Sequence, residues 1–236
     1  MAKKNYKKSI FKTKEEWLKA KEQTIGGSEA AMVVNRSKWG NASSLYSKFM
    51  LGNKDKPTNE RMSQGARAEE HIRALFTLDY ENRFIVKAPP KRKYWFFQRL
   101  DKPYIACTPD GLVVDKTDKS IWGLEIKDVE IRHAEERELW ENNVLIDQYY
   151  FQCLQYLLTI NDLKGVVLFA HLKYYKYDRK KEQWIFEKAI DKPYWVYRDD
   201  LSVQTNLRLL ENHETKFYNE CILKKERPEL VIKFSI

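Results

Sequence analysis

Three side chains, Asp110, Glu125 and Lys127, have the types and spacing of a metal-assisted phosphodiesterase site. They lie in Thr108-Pro109-Asp110-Gly111 and Gly123-Leu124-Glu125-Ile126-Lys127. Leu112-Val113-Val114 and residues 121–126 read as β-strands, rich in branched and aromatic side chains, and the polar run 115–120 reads as the hairpin loop between them. With Asp110 ending one strand and Glu125 and Lys127 on the next, the side-chain period of two puts Glu125 and Lys127 on one face. Leu124 and Ile126 alternate with them and face the core. Two carboxylates and an ammonium then converge. Hard oxygen donors suit Mg²⁺, with Mn²⁺ as a substitute. The lysine orients a water or offsets charge growing on phosphoryl oxygens. Charged residues make up 33% of the chain, so Glu-x-Lys also arises by chance. An exposed strand pair carrying a salt bridge is the competing reading.

The elements that must hold these residues follow from periodicity and caps. Thr13 caps a helix with Glu16 at the capping-box position, and that helix carries Trp17 and Lys21. Ile25-Gly26-Gly27-Ser28 is a break. Ser28 is placed to cap a helix over 29–35, either as a plain cap or at an anion site of free N–H groups. Further helices are expected over 43–50, 62–80, 148–159 and 199–224, with a polar loop over 53–59. Strands are expected over 84–87, 94–97 and 164–173, the last apolar enough to be buried on both faces. Glu69 lies on helix 62–80 near Gly65. One of Glu69 and Glu70 can reach a metal while the other is solvated; Arg67, His71 and Arg73 read as surface partners. Residues 128–143 read as a charged helical or mobile stretch, with His133 on a solvated face.

Gln152 and Gln155 lie on a mostly apolar helix and need partners, because an unpaired buried amide costs about 1–3 kcal/mol. An active-site water, Lys127 or a bound strand would satisfy one of them, and so would a backbone hydrogen bond. Tyr174-Tyr175-Lys176-Tyr177 and Gln183-Trp184-Ile185-Phe186 form a basic, aromatic hairpin. It either stacks on unpaired bases or packs as edge strands.

The 236 residues contain no mid-chain linker and no repeat, so a single domain over 1–236 is expected, with a mobile basic tail over about residues 1–10. A net charge of +9 favours a polyanionic partner. No run is long enough to span a bilayer, and no apolar signal core follows Met1-Ala2-Lys3-Lys4, so no membrane association and a cytoplasmic location are expected. Cys107, Cys153 and Cys221 are odd in number and lack CxxC spacing, which argues against a disulfide framework, a zinc site or an iron–sulfur cluster.

Ile25-Gly26-Gly27-Ser28, Gly65-x-x-x-Glu69, Ala106-Cys107-Thr108-Pro109-Asp110-Gly111-Leu112, Leu124-Glu125-Ile126-Lys127 and Tyr149-x-x-Gln152 occur in that order. This ordered set resembles the YqaJ / lambda exonuclease family of phage recombination nucleases, within the PD-(D/E)xK superfamily, from about residue 17 to 169. The resemblance implies an α/β (α+β) fold with a restriction-endonuclease-like core, a central mixed β-sheet flanked by helices. It implies Asp110, Glu125, Glu69 and the Ile126 carbonyl as metal ligands, Lys127 as catalytic lysine and Gln152 as the glutamine that supports the active site. It places Ser28 and Lys21 on the 5′ phosphate of a DNA end.

Three positions depart from the family pattern. Lys21 stands where an arginine is common, Asp128-Val129 replaces Cys-Pro after the lysine, and Gln155 is spaced one residue wider. The implied activity is Mg²⁺-dependent digestion of one strand of linear double-stranded DNA, 5′ to 3′. The implied partners are duplex ends, a single-strand annealing protein and further copies of the chain in a ring trimer. A superfamily endonuclease and a non-catalytic DNA- or partner-binding protein on the same fold are the other two readings.

Overall fold

A strand buried on both faces needs apolar residues on both sides, and the central strands here have them. In the computed structural model, which describes residues 4–52 and 60–229, a five-stranded mixed sheet forms the centre. Its order is β2 (Phe84–Lys87), β5 (Gly111–Asp115), β6 (Ile121–Ile131), β7 (Leu163–Asp178) and β8 (Gln183–Tyr197). β6 and β7 are parallel, and the other neighbours are antiparallel. The β6-to-β7 crossover carries α5 (Ala134–Glu141) and α6 (Asp147–Thr159).

Each face of this sheet has its own core. On one, Leu124, Ile126, Val167 and Phe169 pack with Ile72 and Phe76 of α4 (Glu60–Asp79). On the other, Val129, Ile131, Leu168 and Ala170 pack with Cys153, Leu154 and Leu157 of α6. Leu124 and Ile126 therefore face a core as expected, but the face that carries Glu125 is buried too.

A second, three-stranded antiparallel sheet, absent from the sequence expectation, joins β1 (Tyr6–Phe11), β3 (Tyr94–Arg99) and β4 (Ala106–Cys107). It corrects the mobile tail expected over residues 1–10: from Tyr6 onward the segment pairs residue by residue with β3. Lys8 lies 3.5 Å from the centroid of the Trp95 ring, so one lysine of the basic run packs on an aromatic surface.

The stretch over 128–143 is also corrected. β6 continues through Asp128–Ile131 because Val129 and Ile131 are buried on alternate positions, and Asp128 is neutralised by Lys173 at 2.9 Å. The polar loop over 53–59 and the surroundings of Gly65 and Arg67 lie outside the described residues.

Three short helices and the long α4 lie between β1 and β2. α1 (Lys14–Glu22) starts at the expected capping box: Thr13 Oγ1 accepts from the Glu16 N–H at 3.2 Å, and Glu16 accepts from the Thr13 N–H at 3.4 Å. α2 (Gly27–Val33) starts two residues earlier than expected, so Gly26 rather than Ser28 occupies the cap position. The Glu29 carboxylate accepts from the Gly26 N–H at 2.9 Å. Ile25 anchors this turn by donating to the Tyr104 carbonyl at 2.7 Å and accepting from Ala106 at 3.1 Å. α3 (Ala42–Leu51) follows.

At the C-terminal end, α7 (Leu201–Lys216) passes into a π-helical turn, Phe217–Ile222, whose Tyr218 stacks on Tyr104 at 4.0 Å. α7 also buries Glu214 completely. The Gln155 amide donates to the Ile25 carbonyl at 2.8 Å, and its Oε1 is buried with no hydrogen-bond partner among the described residues. Both Glu214 oxygens are likewise buried without a hydrogen-bond partner among the described residues, which disfavours the charged carboxylate. Burial pushes its pKa well up; Glu211 adds to this, while Gln155, Arg99 and Lys102 oppose it.

Because the folded pKa lies above the unfolded one, this contribution is complete below about pH 4.3 and is lost as pH rises through the folded value. Glu214→Gln keeps a neutral donor of the same shape. Its melting temperature is expected to exceed that of the wild type increasingly as pH rises from 5 to 9. Parallel melting curves across that range would show that Glu214 does not titrate.

Candidate active site

Burying a carboxylate is costly unless donors surround it. Glu125, only 2% exposed, has three. Its Oε1 accepts from Lys127 Nζ at 2.5 Å and from Gln152 Nε2 at 2.7 Å, and its Oε2 accepts from the Tyr156 hydroxyl. β6 puts Glu125 and Lys127 on one face, and α6 puts Gln152 and Tyr156 one turn apart on the face that meets them. Gln152 also donates to the Tyr156 hydroxyl at 3.1 Å, which aligns that group toward Glu125. Burial works against the Lys127 ammonium, but Glu125 and Asp110 outweigh it and hold its pKa above the usual range. Tyr149, one turn before Gln152, lies 5.1 Å from the ammonium and covers it with its ring.

Asp110 immediately precedes β5 rather than ending a strand. Its Oδ2 accepts from the Ile126 N–H at 2.8 Å, which fixes the carboxylate beside the Ile126 peptide. Arg73 of α4 then ties two elements together: it donates to Glu69 at 3.0 Å and to the Asp110 carbonyl at 3.1 Å. Burial raises the pKa of Asp110, with Glu125 and Glu69 adding to it. Burial likewise raises that of Glu69, with Glu125 adding and Arg73 and Lys127 opposing. These three carboxylates repel one another. Asp110, Glu69 and Arg73 also line a cleft of about 680 Å³ that has Trp17 and the basic turn Lys91-Arg92-Lys93 on its walls.

Close approach of α2 to α6 depends on Gly27. A Cβ there would sit 2.9 Å from the Tyr156 ring and 3.0 Å from Gln152 Cγ, the two side chains that hold Glu125. Ser28, next in the chain, is exposed in the first turn of α2. Lys21 lies on the last turn of α1 with its ammonium 4.2 Å from the Trp17 ring centroid. Burial lowers the Lys21 pKa, whereas Glu29, Glu125 and Asp110 act to raise it, so this lysine senses the carboxylate cluster.

A family model described as the YqaJ-like viral recombinase domain matches residues 16–161, a span that holds every site residue named above. This chain belongs to the YqaJ-like viral recombinase family. Among solved structures, the YqaJ-like chain resembles LHK-Exo in complex with dAMP, at 16% identity and a TM-score of 0.52, over 90% of this chain and 98% of that one. It also resembles an alkaline exonuclease (LHK-Exo) from Laribacter hongkongensis, at 16% identity and a TM-score of 0.50, over 89% and 98% of the two chains. The fold expected from the resemblance, a mixed sheet flanked by helices, is the fold of these exonuclease structures. No curated protein sequence matches the chain.

In this YqaJ-like protein the structure brings together Asp110, Glu125, Lys127, Gln152 and Glu69, with the Ile126 peptide between Asp110 and Lys127. Gln155 does not join them; it binds backbone. Two residues escaped the sequence reading. Tyr156 has no role in the sequence reading, and its signal was a hydroxyl four residues after Gln152. Arg73 read as a surface partner, yet its side chain is largely buried and spaced four residues from Glu69.

Among the described residues no three acidic, His or Cys side chains form a ready-made metal cage, because Glu125 is turned onto Lys127, Gln152 and Tyr156. The donor set still fits a hard divalent cation: three mutually repelling carboxylates lie near one another, and a cation would relieve the repulsion.

Proposed function

We propose that this YqaJ-like protein is a Mg²⁺-dependent DNA exonuclease that digests one strand of linear duplex DNA from its 5′ end. The observation that carries this reading is the buried Glu125–Lys127 pair beside Asp110 and Glu69. A site meant only for stability gains little from such a cluster, because unrelieved repulsion and desolvation cost more than apolar packing would. Asp110, Glu125, Glu69 and the Ile126 carbonyl would hold Mg²⁺, or Mn²⁺ in its place. A bound cation supplies Lewis-acid polarisation of the phosphate and lowers the pKa of a water.

The chain's own groups do the rest. Lys127 orients the attacking water or offsets charge on the phosphoryl oxygens. Gln152 and Tyr156 fix the rotamer of Glu125, and Arg73 ties Glu69 to the Asp110 backbone. Ser28 and Lys21 hold the 5′ phosphate of the end. Lys21 is a point charge where the family often has an arginine fork, so it gives a weaker preference for that phosphate. The dAMP recorded with one structural neighbour is a deoxynucleoside monophosphate, the kind of product an exonuclease releases. The remaining strand would pass to a single-strand annealing protein in the host cytoplasm, and further copies of the chain would close a ring trimer around the DNA.

Digestion of end-labelled linear duplex and covalently closed circular DNA, each with Mg²⁺ and with EDTA, tests the reading. The expected result is metal-dependent loss of the linear substrate alone. Cutting of the circle would replace it with an endonuclease, and cleavage of neither with a DNA-binding role.

A further inference from the structure

β6 ends at Ile131, opposite Tyr174, but β7 and β8 run on without it. From Tyr175↔Phe186 to Asp178↔Gln183 they form a two-stranded arm that projects beyond the sheet. A register shift at Tyr174/Tyr175 leaves Glu187 unpaired and re-aims the arm. Directly opposed residues of an antiparallel pair share a face, so Tyr175, Phe186, Tyr177 and Trp184 lie together on one side.

Both cross-strand pairs are edge-to-face, at 5.8 Å and 5.4 Å between centroids. His133 adds a further edge-to-face contact with Trp184 at 5.9 Å, so the most exposed ring surface is that of Tyr177 and Phe186. Tyr177 is 50% and Phe186 53% exposed. The Arg132 guanidinium lies 5.4 Å from the Tyr175 ring at the base of this face. The tip carries Arg179, Lys180 and Lys181, all exposed. From Lys173 to Lys188 there are six Lys or Arg residues and three acidic ones; Lys173 is paired with Asp128 and Glu187 with Arg137.

We propose that this arm is a binding platform for single-stranded DNA, with unpaired bases stacking on Tyr177, Trp184 and Phe186 and the tip cations holding phosphates. Exposed planar rings interleaved with cations recognise unpaired bases, whose faces are free; in a duplex those faces are already stacked. An acidic partner protein would answer the charge but not the exposed rings. Tyr177 lies nine residues beyond Leu168, the residue opposite Glu125, a distance of roughly 30 Å along the strand. A strand bound on the arm therefore sits about nine stacked nucleotides from the carboxylate cluster. This platform goes beyond the nuclease reading and rests on it only for the choice of DNA.

Fluorescence anisotropy in EDTA separates the two readings, since binding is read without cleavage. The probes are labelled oligo(dT) and a blunt duplex of the same length, roughly 20 nucleotides, longer than usual site sizes. Tyr177→Leu/Phe186→Leu keeps apolar cross-strand packing and removes the flat rings. It is expected to lose about tenfold in oligo(dT) affinity, with duplex affinity within about twofold and the melting temperature unchanged. Arg179→Ser/Lys180→Ser/Lys181→Ser is expected to flatten the salt dependence of oligo(dT) binding by a slope of up to about 2. Wild-type oligo(dT) affinity in the leucine variant would overturn the proposal, as would an equal fall for both probes. Unchanged oligo(dT) affinity with loss of an oligomer in sedimentation velocity would also overturn it, and would make the face a contact between copies of the chain.

Discussion

Lys127→Ala is expected to lower metal-dependent cleavage of linear duplex DNA by roughly 10²- to 10³-fold or more, with the fold retained. The loss follows from position: the Lys127 ammonium is held at 2.5 Å from Glu125 and stays charged because Glu125 and Asp110 outweigh its burial. It is the cation that bonds the Glu125 carboxylate directly. Retention of the fold follows from the other donors. Stripping a buried carboxylate of its partner costs about 3–5 kcal/mol. In the variant, however, Glu125 keeps Gln152 and Tyr156. A smaller loss, about 1–3 kcal/mol, is therefore expected, visible as a lowered melting temperature with native circular dichroism. A folded variant cleaving at the wild-type rate would remove Lys127 from the catalytic site.

Asp110→Asn separates stability from function at the same site. Its carboxylate is pushed toward protonation by burial and by Glu125 and Glu69. In EDTA, Asn removes the titratable group that burial and two neighbouring carboxylates disfavour, while the Ile126 N–H keeps an acceptor. The variant is expected to be more stable than wild type in EDTA by about 1 kcal/mol, or about 2–4 °C in melting temperature. Mg²⁺ is expected to reverse the order: a ligand that binds the folded state stabilises it as the logarithm of one plus its concentration over Kd, so the wild-type melting temperature rises with Mg²⁺ and that of the variant gains little. Cleavage is lost together with that gain. Should Asp110→Asn melt below wild type in EDTA and still respond fully to Mg²⁺, Asp110 would be a structural residue rather than a metal ligand.

The sequence by itself determined what lies within one element. Periodicity of two placed Glu125 with Lys127, Thr13 and Glu16 announced a helix start, and the order of five short motifs identified the family over its matched span. These relations were legible because they depend on backbone geometry over two to four residues.

Tertiary structure decided what lies between elements. Val129 and Ile131 carried a strand signal, but the charges around them concealed it until parallel pairing with β7 buried one face. The basic N-terminal run read as a tail because its partner, β3, lies about ninety residues away in the chain. Tyr156 and Arg73 could not be assigned from their own neighbours, since their roles come from Glu125 and Asp110 on other elements. Burial on both faces of β6 made the difference. It took Glu125 out of water, so donors from α6 had to meet it, and no local pattern in the chain encodes which helix will be there.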